Sequence, residues 1–377
     1  MIKQCSLLVF LLCLLQLRAA AQSSVEDTII QLMDQYRAIG LSVVAVKDNR
    51  IIYNRSFGYK NREDKTLIQN TDIFRIASIS KSFTATSLMQ LVEKGTISLD
   101  DEVSKLIGFT INNPKYPDVP ITLRMLLSHT SSLNDQNGYF NLDVVNPEKN
   151  PNWANCYNNY KPGTGYEYCN LNFNLAGSIL EKQSGERFDQ YVKQHILVPL
   201  HLYGGYDVDS LDRNRLVTLY EYNDSLKTFN SAPEAYTSPK ARLAHYIRGY
   251  SAPVFSPTGG MKIAGLDLAK YMMMHMNYGT GNGVTIISAQ SSRTMQTPLS
   301  DKEHYGLALW VTDSLINGER MVGHTGDAYG LFSSLFFQPE KKFGFVVITN
   351  GCIPQYKNST IALLYDVINS LYQKLIQ

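Results

Sequence analysis

"FRIASISKSF", residues 74–83, sets three serines at alternate positions around a single lysine. On a helix, side chains three apart share a face with β-carbons about 5–6 Å apart. Ser78 and Lys81 are then neighbours, whereas Ser80 and Ser82 point elsewhere. Ser78 is therefore the hydroxyl this lysine can serve, and a serine is a weak nucleophile until a nearby base takes its proton. The apolar positions Ile79, Phe83, Leu88, Leu91 and Val92 predict a helix that starts near Ser78 and stops at Gly95. Its free N–H groups and positive dipole end would face whatever the hydroxyl attacks. Taken alone, the same four residues also read as a helix cap followed by an exposed lysine, so the choice rests on other segments.

Upstream, residues 26–38 place Ile29, Ile30, Leu32, Met33 and Tyr36 on one helical stripe closed by Gly40. Two β-branched runs in "LSVVAVKDNRIIYNRSFGY" then predict a hairpin turning at Asp48-Asn49. Downstream, "ITLRMLLSHTSSL", "NLNFNLAGSILEKQSG" and "RFDQYVKQHI" read as helices. Strand patterns return in "YGLALWVTDS", "ERMVGHTG", "LFSSLFFQ" and "KFGFVVITNG", before a last amphipathic helix from about Thr360 to Ile376. Strands at both ends with helices between them predict one sheet completed by the two chain termini, an α/β (α+β) unit with a mainly helical insertion. Residues 134–165, rich in Asn, Pro and Tyr, and the tyrosine-rich 201–255 fit neither class and are expected to wall a pocket.

The first residues carry Lys3, an apolar run from Leu7 to Leu17 and the small residues Ala19-Ala20-Ala21. That pattern predicts a signal peptide over residues 1–21 and a periplasmic or secreted protein. The run falls short of the ~20 residues of a spanning helix, so no membrane anchor is expected. Its removal takes two basic residues from 35 and none of the 33 acidic ones, leaving the charge balanced and giving no reason to expect a nucleic-acid partner. Cys156 and Cys169 could close a small loop with Cys352 left over, and the spacing matches no metal pattern.

Two further segments decide the reading of Ser78 and Lys81. "PGTGYEYCN" supplies Tyr168 and Asn170 just before a helix, and "VGHTGDAYG" supplies His324, Thr325 and Gly326 at a strand end. With "SISK", "YCN" and "HTG" in this order, the chain resembles the penicillin-recognising serine hydrolases, on the branch of class C β-lactamases, D-Ala-D-Ala carboxypeptidases and related esterases. "LLSHTSSL", "SPTGGMKIAGLDLAKYM", "YGLALW" and "ITNG" extend the likeness over nearly all of residues 22–377. The resemblance implies a β-lactamase/transpeptidase-like catalytic domain, its sheet from about 22–70 and 300–377 and its helical part from about 71–299.

By the same resemblance, Ser78 would form an acyl-enzyme, Lys81 and Tyr168 would move its proton, and Asn170 would hold Lys81 and a substrate amide in register. His324, Thr325, Gly326 and Asp327 would bind substrate, the N–H groups of Ser78 and Asp327 forming an oxyanion hole. Neither metal nor organic cofactor is implied. Two departures stand out: Asp327 where the family has a small residue, and His324 in place of the lysine of K-T-G. Histidine is mostly neutral at pH 7, which disfavours penicillin-like carboxylates, and within the family H-x-G accompanies peptidases and esterases, so the resemblance implies a D-amino-acid peptide, such as one derived from peptidoglycan, or a small ester or amide. The alternatives are a class C-like β-lactamase and a catalytically silent protein that binds cell-wall peptides. No G-x-S-x-G elbow is present. His129 and the methionines of 271–276 read as structural.

Overall fold

The computed structural model describes residues 25–300 and 303–377. Residues 1–21, expected to be a leader, lie outside them. A first helix, α1 (25–35), leads into β1 (Gly40–Lys47) and β2 (Arg50–Asn61). The turn between these strands holds Asp48 and Asn49 at φ 51° and 60°, the left-handed pair that matches the twist of a hairpin. β3 (Thr66–Leu67) follows, and the remaining strands come from the far end of the chain: β4 (Trp310–Ile316), β5 (Glu319–Ala328), β6 (Leu331–Gln338) and β7 (Phe343–Thr349). The sheet order β4-β5-β6-β7-β1-β2-β3 is antiparallel throughout and joins the two termini at the β7–β1 pair, where Val43 faces Val347.

The central strands are buried on both faces, and their alternation divides the core. Leu41, Val43 and Ala45 of β1 and Phe345 and Val347 of β7 pack with α1 and the C-terminal helix Ala362–Leu371. Val44, Val46, Val346 and Ile348 face the other way, onto the helical part. There the Met-rich helix Gly265–Met276 presses Met272, Met274 and Met276 into the core at 0% exposure. Among the described residues no helix is long and apolar enough to cross a membrane.

Two further helices, α2 (Ser80–Glu93) and α3 (Asn170–Ser184), pack together in the helical part. Gly177 of α3 lies against the loop before Met261, where an added Cβ would stand 2.3 Å from Pro257 Cγ. One expectation is corrected here: "ITLRMLLSHTSSL" is helical only over Leu123–Leu127. His129 and Ser132 adopt φ of 59° and 67°, a left-handed backbone that ends the helix and turns the chain toward the site. The middle stretch also contains a hairpin, Tyr220–Asn223 with Thr228–Ser231.

Gly177→Ala sets helix propensity, worth about 1 kcal/mol in favour of Ala, against a clash with a rigid proline ring. At 2.3 Å the clash wins. The variant is expected to lose about 1–3 kcal/mol of stability in urea unfolding.

Candidate active site

Strand pairing sets the position of Ser78. Ile73–Arg75 pairs with Lys262–Ala264, and Ile76 N–H donates to Met261 O at 3.0 Å. Ala77 then takes φ 46°, a conformation costly for a residue with a Cβ, and the chain turns sharply through a 3₁₀ segment, Ala77–Ile79, before α2 begins. Ser78 thus sits in the turn before the α-helix rather than at its first turn. β5 closes over this corner. A Cβ on Gly326 would lie 2.3 Å from Ile76 O and 2.4 Å from Ser333 Oγ, so only glycine fits the H-x-G position.

The three serines separate as their spacing predicts. Ser80 Oγ donates to Ala77 O and accepts from Met261 N, and Ser82 Oγ donates to Ile79 O at 2.8 Å. Both are structural. Lys81, at 0% exposure, donates from Nζ to Ser78 Oγ (3.0 Å), Asn170 Oδ1 (2.9 Å) and Thr258 O (3.0 Å). Burial drives its pKa down to about 7, against an opposing pull from Asp135. Tyr168 lies beside the pair, its phenol next to the Ser78 hydroxyl and its ring centroid 4.8 Å from Lys81 Nζ. Burial pushes this phenol well above its ordinary value, so it stands as a protonated hydroxyl.

Asp135, absent from the sequence-derived set, organises this cluster. Its carboxylate accepts Asn170 N–H (2.8 Å), Leu171 N–H (3.0 Å), Asn170 Nδ2 (3.0 Å) and Cys169 Sγ (3.2 Å). It caps the first turn of α3 and orients the Asn170 amide so that Oδ1 faces Lys81. No local pattern announces a cap 35 residues upstream. Thr258 closes the ring, Oγ1 donating to Asn170 Oδ1 at 2.7 Å. Cys156, Cys169 and Cys352 are free thiols, the first donating to Val144 O rather than bridging to Cys169.

His324 departs from its expected role. It is 1% exposed and does not line the cavity over Ser78. Thr325 O can only accept, so Nδ1 carries the proton and Nε2 accepts from Tyr305 OH at 3.0 Å. Trp310 stacks on the ring at 4.7 Å, and burial takes the imidazole pKa down to about 3. His324 is a neutral strut behind the pocket, with no free atom or charge for a substrate carboxylate. His129 is likewise buried, its Nδ1 accepting Cys169 N–H at 3.1 Å and its ring 4.4 Å from that of Tyr168. Gly326 lies under the corner, while Ser78, Tyr168, Asn170, Thr325 and Asp327 all line an open cavity of about 720 Å³. Tyr139 and Phe140 from the Asn-rich segment and Glu221 from the tyrosine-rich one contribute to its walls.

The sheet, the inserted helical part and the Ser-Lys-Tyr cluster at their junction define a β-lactamase/transpeptidase-like protein. The chain belongs to the Beta-lactamase family, whose model matches residues 25–365. It is 25% identical over 346 residues to "Protein flp" of Staphylococcus aureus (strain MW2), covering 86% of this chain and 62% of that protein. It therefore spans less than two thirds of that relative's length. To "Penicillin-binding protein 4*" of Bacillus subtilis (strain 168) it is 26% identical, over 90% of this chain and 68% of that one. Among solved structures, the octameric penicillin-binding protein homologue from Pyrococcus abyssi is similar with a TM-score of 0.73 and 26% identity, over 93% of this chain and 77% of the other. The fold is shared with EstCE1, a hydrolase with promiscuous acyltransferase activity (TM-score 0.74, 20% identity, 94% and 99% covered). It is shared too with the D-amino acid amidase of Ochrobactrum anthropi SV3 (0.69, 18%, 93% and 99%). The protein is thus a member of the Beta-lactamase family related to a penicillin-binding protein, and it shares its fold with an acyl-transferring hydrolase and a D-amino acid amidase.

The Asp135 charge raises the Lys81 pKa, so removing it must lower that pKa. Asp135→Asn is expected to lose about 1–2 kcal/mol in urea unfolding through its weakened cap. The pH midpoint for modification of Ser78 by a fluorophosphonate should move to lower pH. A midpoint that stays put or rises contradicts the assigned coupling.

Proposed function

We propose that the protein is an exported serine hydrolase that cleaves amide or ester bonds of a small D-amino-acid derivative or peptide through a Ser78 acyl-enzyme. The observation that carries this reading is Lys81 Nζ at 3.0 Å from Ser78 Oγ, with a pKa near neutrality. Thr258 O and Asn170 Oδ1 can only accept, so a neutral amine spends its two hydrogens on them and turns its lone pair to the Ser78 hydroxyl. Lys81 is then the base and Tyr168 the proton donor.

As the Ser78 Oγ–carbon bond forms, the hydroxyl proton passes to Lys81 Nζ. The tetrahedral oxyanion is held by the N–H groups of Ser78 and Asp327, each such donor being worth about 3–4 kcal/mol in other hydrolases. When the carbon–nitrogen or carbon–oxygen bond breaks, Tyr168 gives its proton to the leaving group and recovers one from Lys81. Water then attacks the ester with the same groups in reverse and frees Ser78. The neutral, enclosed His324 supports a substrate without a penicillin-like carboxylate anchored at that position. The leader pattern of residues 1–21 supports a periplasmic or secreted location, where peptidoglycan-derived peptides would be accessible.

A fluorophosphonate probe should label the protein at Ser78, and Ser78→Ala should abolish labelling. The base must be unprotonated, so the labelling rate should rise with pH through about 7 and level off above it. Tyr168→Phe should retain labelling but lower kcat on a D-amino-acid p-nitroanilide by about 10²–10⁴-fold. An unlabelled Ser78 would mean a silent binding protein, and rapid nitrocefin turnover would restore a β-lactamase.

A further inference from the structure

Asp327 is, with His324, one of two departures of the H-x-G strand from the family pattern, and its surroundings give it no cation. Side chains alternate along β5, so Thr325 and Asp327 share a face, and both front the cavity that holds Ser78. β4 pairs with β5 only as far as Trp310 opposite Gly323, so the stretch carrying Asp327 lies beyond the end of its neighbour. The Asp327 side chain is exposed to the cavity; desolvation by the surrounding wall and the nearby Glu221 carboxylate raise its pKa, and no cationic group of the described residues lowers it. The other groups close to it are Cys352, a thiol whose pKa burial pushes up, and the exposed phenol of Tyr356, and neither carries a positive charge.

Arg75 also lines the cavity, but it does not reach Asp327. Its Nε donates to Gly259 O (2.9 Å) and one Nη to Ala235 O (3.0 Å), and Tyr329 covers its guanidinium at 5.0 Å. Lys81 is enclosed behind Ser78, its Nζ committed to Ser78, Asn170 and Thr258. Much of the remaining wall is aromatic, from Tyr139, Phe140, Tyr166 and Trp310, with the Glu303 carboxylate also on it. Ring faces attract cations and accept apolar side chains. A carboxylate lacking a partner, set among them beside an acyl-transfer nucleophile, suits a ligand with an ammonium close to its carbonyl.

We propose that Asp327 selects substrates whose acyl portion carries a free α-ammonium, so that the enzyme acts on unblocked amino-acid amides, esters or N-terminal residues rather than on N-acylated peptides. The proposal rests on the acyl-enzyme reading for where the carbonyl lies: the Asp327 N–H receives the oxyanion, and the α-nitrogen is one bond beyond the carbonyl carbon's neighbour. The main chain of Asp327 then serves the chemistry and its side chain serves selection. Glu221 strengthens the negative potential at the same wall.

Binding to Ser78→Ala tests this without turnover. Calorimetry should give D-phenylalaninamide about tenfold tighter binding than N-acetyl-D-phenylalaninamide, the size of a charge-assisted hydrogen bond. In Ser78→Ala/Asp327→Asn that preference should vanish, with the N-acetyl probe bound as before, which shows the pocket intact. Equal binding of the two probes by Ser78→Ala, no binding of either, a preference that survives Asp327→Asn, or an equal loss for both probes overturns the proposal. If Ser78 of the natural chain is labelled by fluorophosphonate while the amine preference is missing, selection by Asp327 alone has failed. An amine preference with unlabelled Ser78 would instead sink the acyl-enzyme reading.

Discussion

An ammonium buried without a solvent-exposed face is the constraint around which this site is built. Removing a charge from water costs several kcal/mol even after relaxation, and Lys81 is 0% exposed. The chain offsets that cost with three acceptors from three separate segments: Ser78 in the turn before α2, Asn170 at the start of α3 and Thr258 in the loop before Met261. Each acceptor is fixed by something else, Asn170 by Asp135 and Thr258, and the Ser78 turn by its contact with β5. The outcome is a base poised near neutrality, which a surface lysine cannot be.

That arrangement explains why remote glycines matter. Gly326 lets β5 touch the Ala77 corner, and Gly177 lets α3 seat the loop that presents the Thr258 carbonyl. The helical part and the sheet therefore meet at Ser78 from opposite sides, with the cavity opening between them. His324, Tyr305 and Trp310 brace the rear of that meeting point. Their role is steric and hydrogen-bonding, since burial keeps the imidazole neutral.

Much of this was legible in the residues themselves. β-branched runs marked β1 and β2, the strand pattern of "KFGFVVITNG" marked β7, and Asp48-Asn49 marked the hairpin. The spacing of Ser78 and Lys81 forecast their contact, and the separation of Ser80 and Ser82 from it. What stayed hidden depends on long-range approach. Asp135 caps a helix that begins 35 residues later, and nothing local marks it. His324 looked substrate-facing because its motif position suggested so, but its exposure is decided by Trp310 and Tyr305 closing over it. The short helix at Leu123–Leu127 ends at a left-handed His129, a backbone choice its apolar pattern conceals.

The central claim is that Lys81 is an amine near neutrality, which can be observed directly by NMR of protein carrying lysine labelled with ¹³C at Cε, with Lys81→Arg identifying its signal. The predicted titration has a midpoint close to pH 7, well below that of the other lysines. A Lys81 signal that remains that of an ammonium above pH 9 would contradict the account, and Ser78 would then need another base.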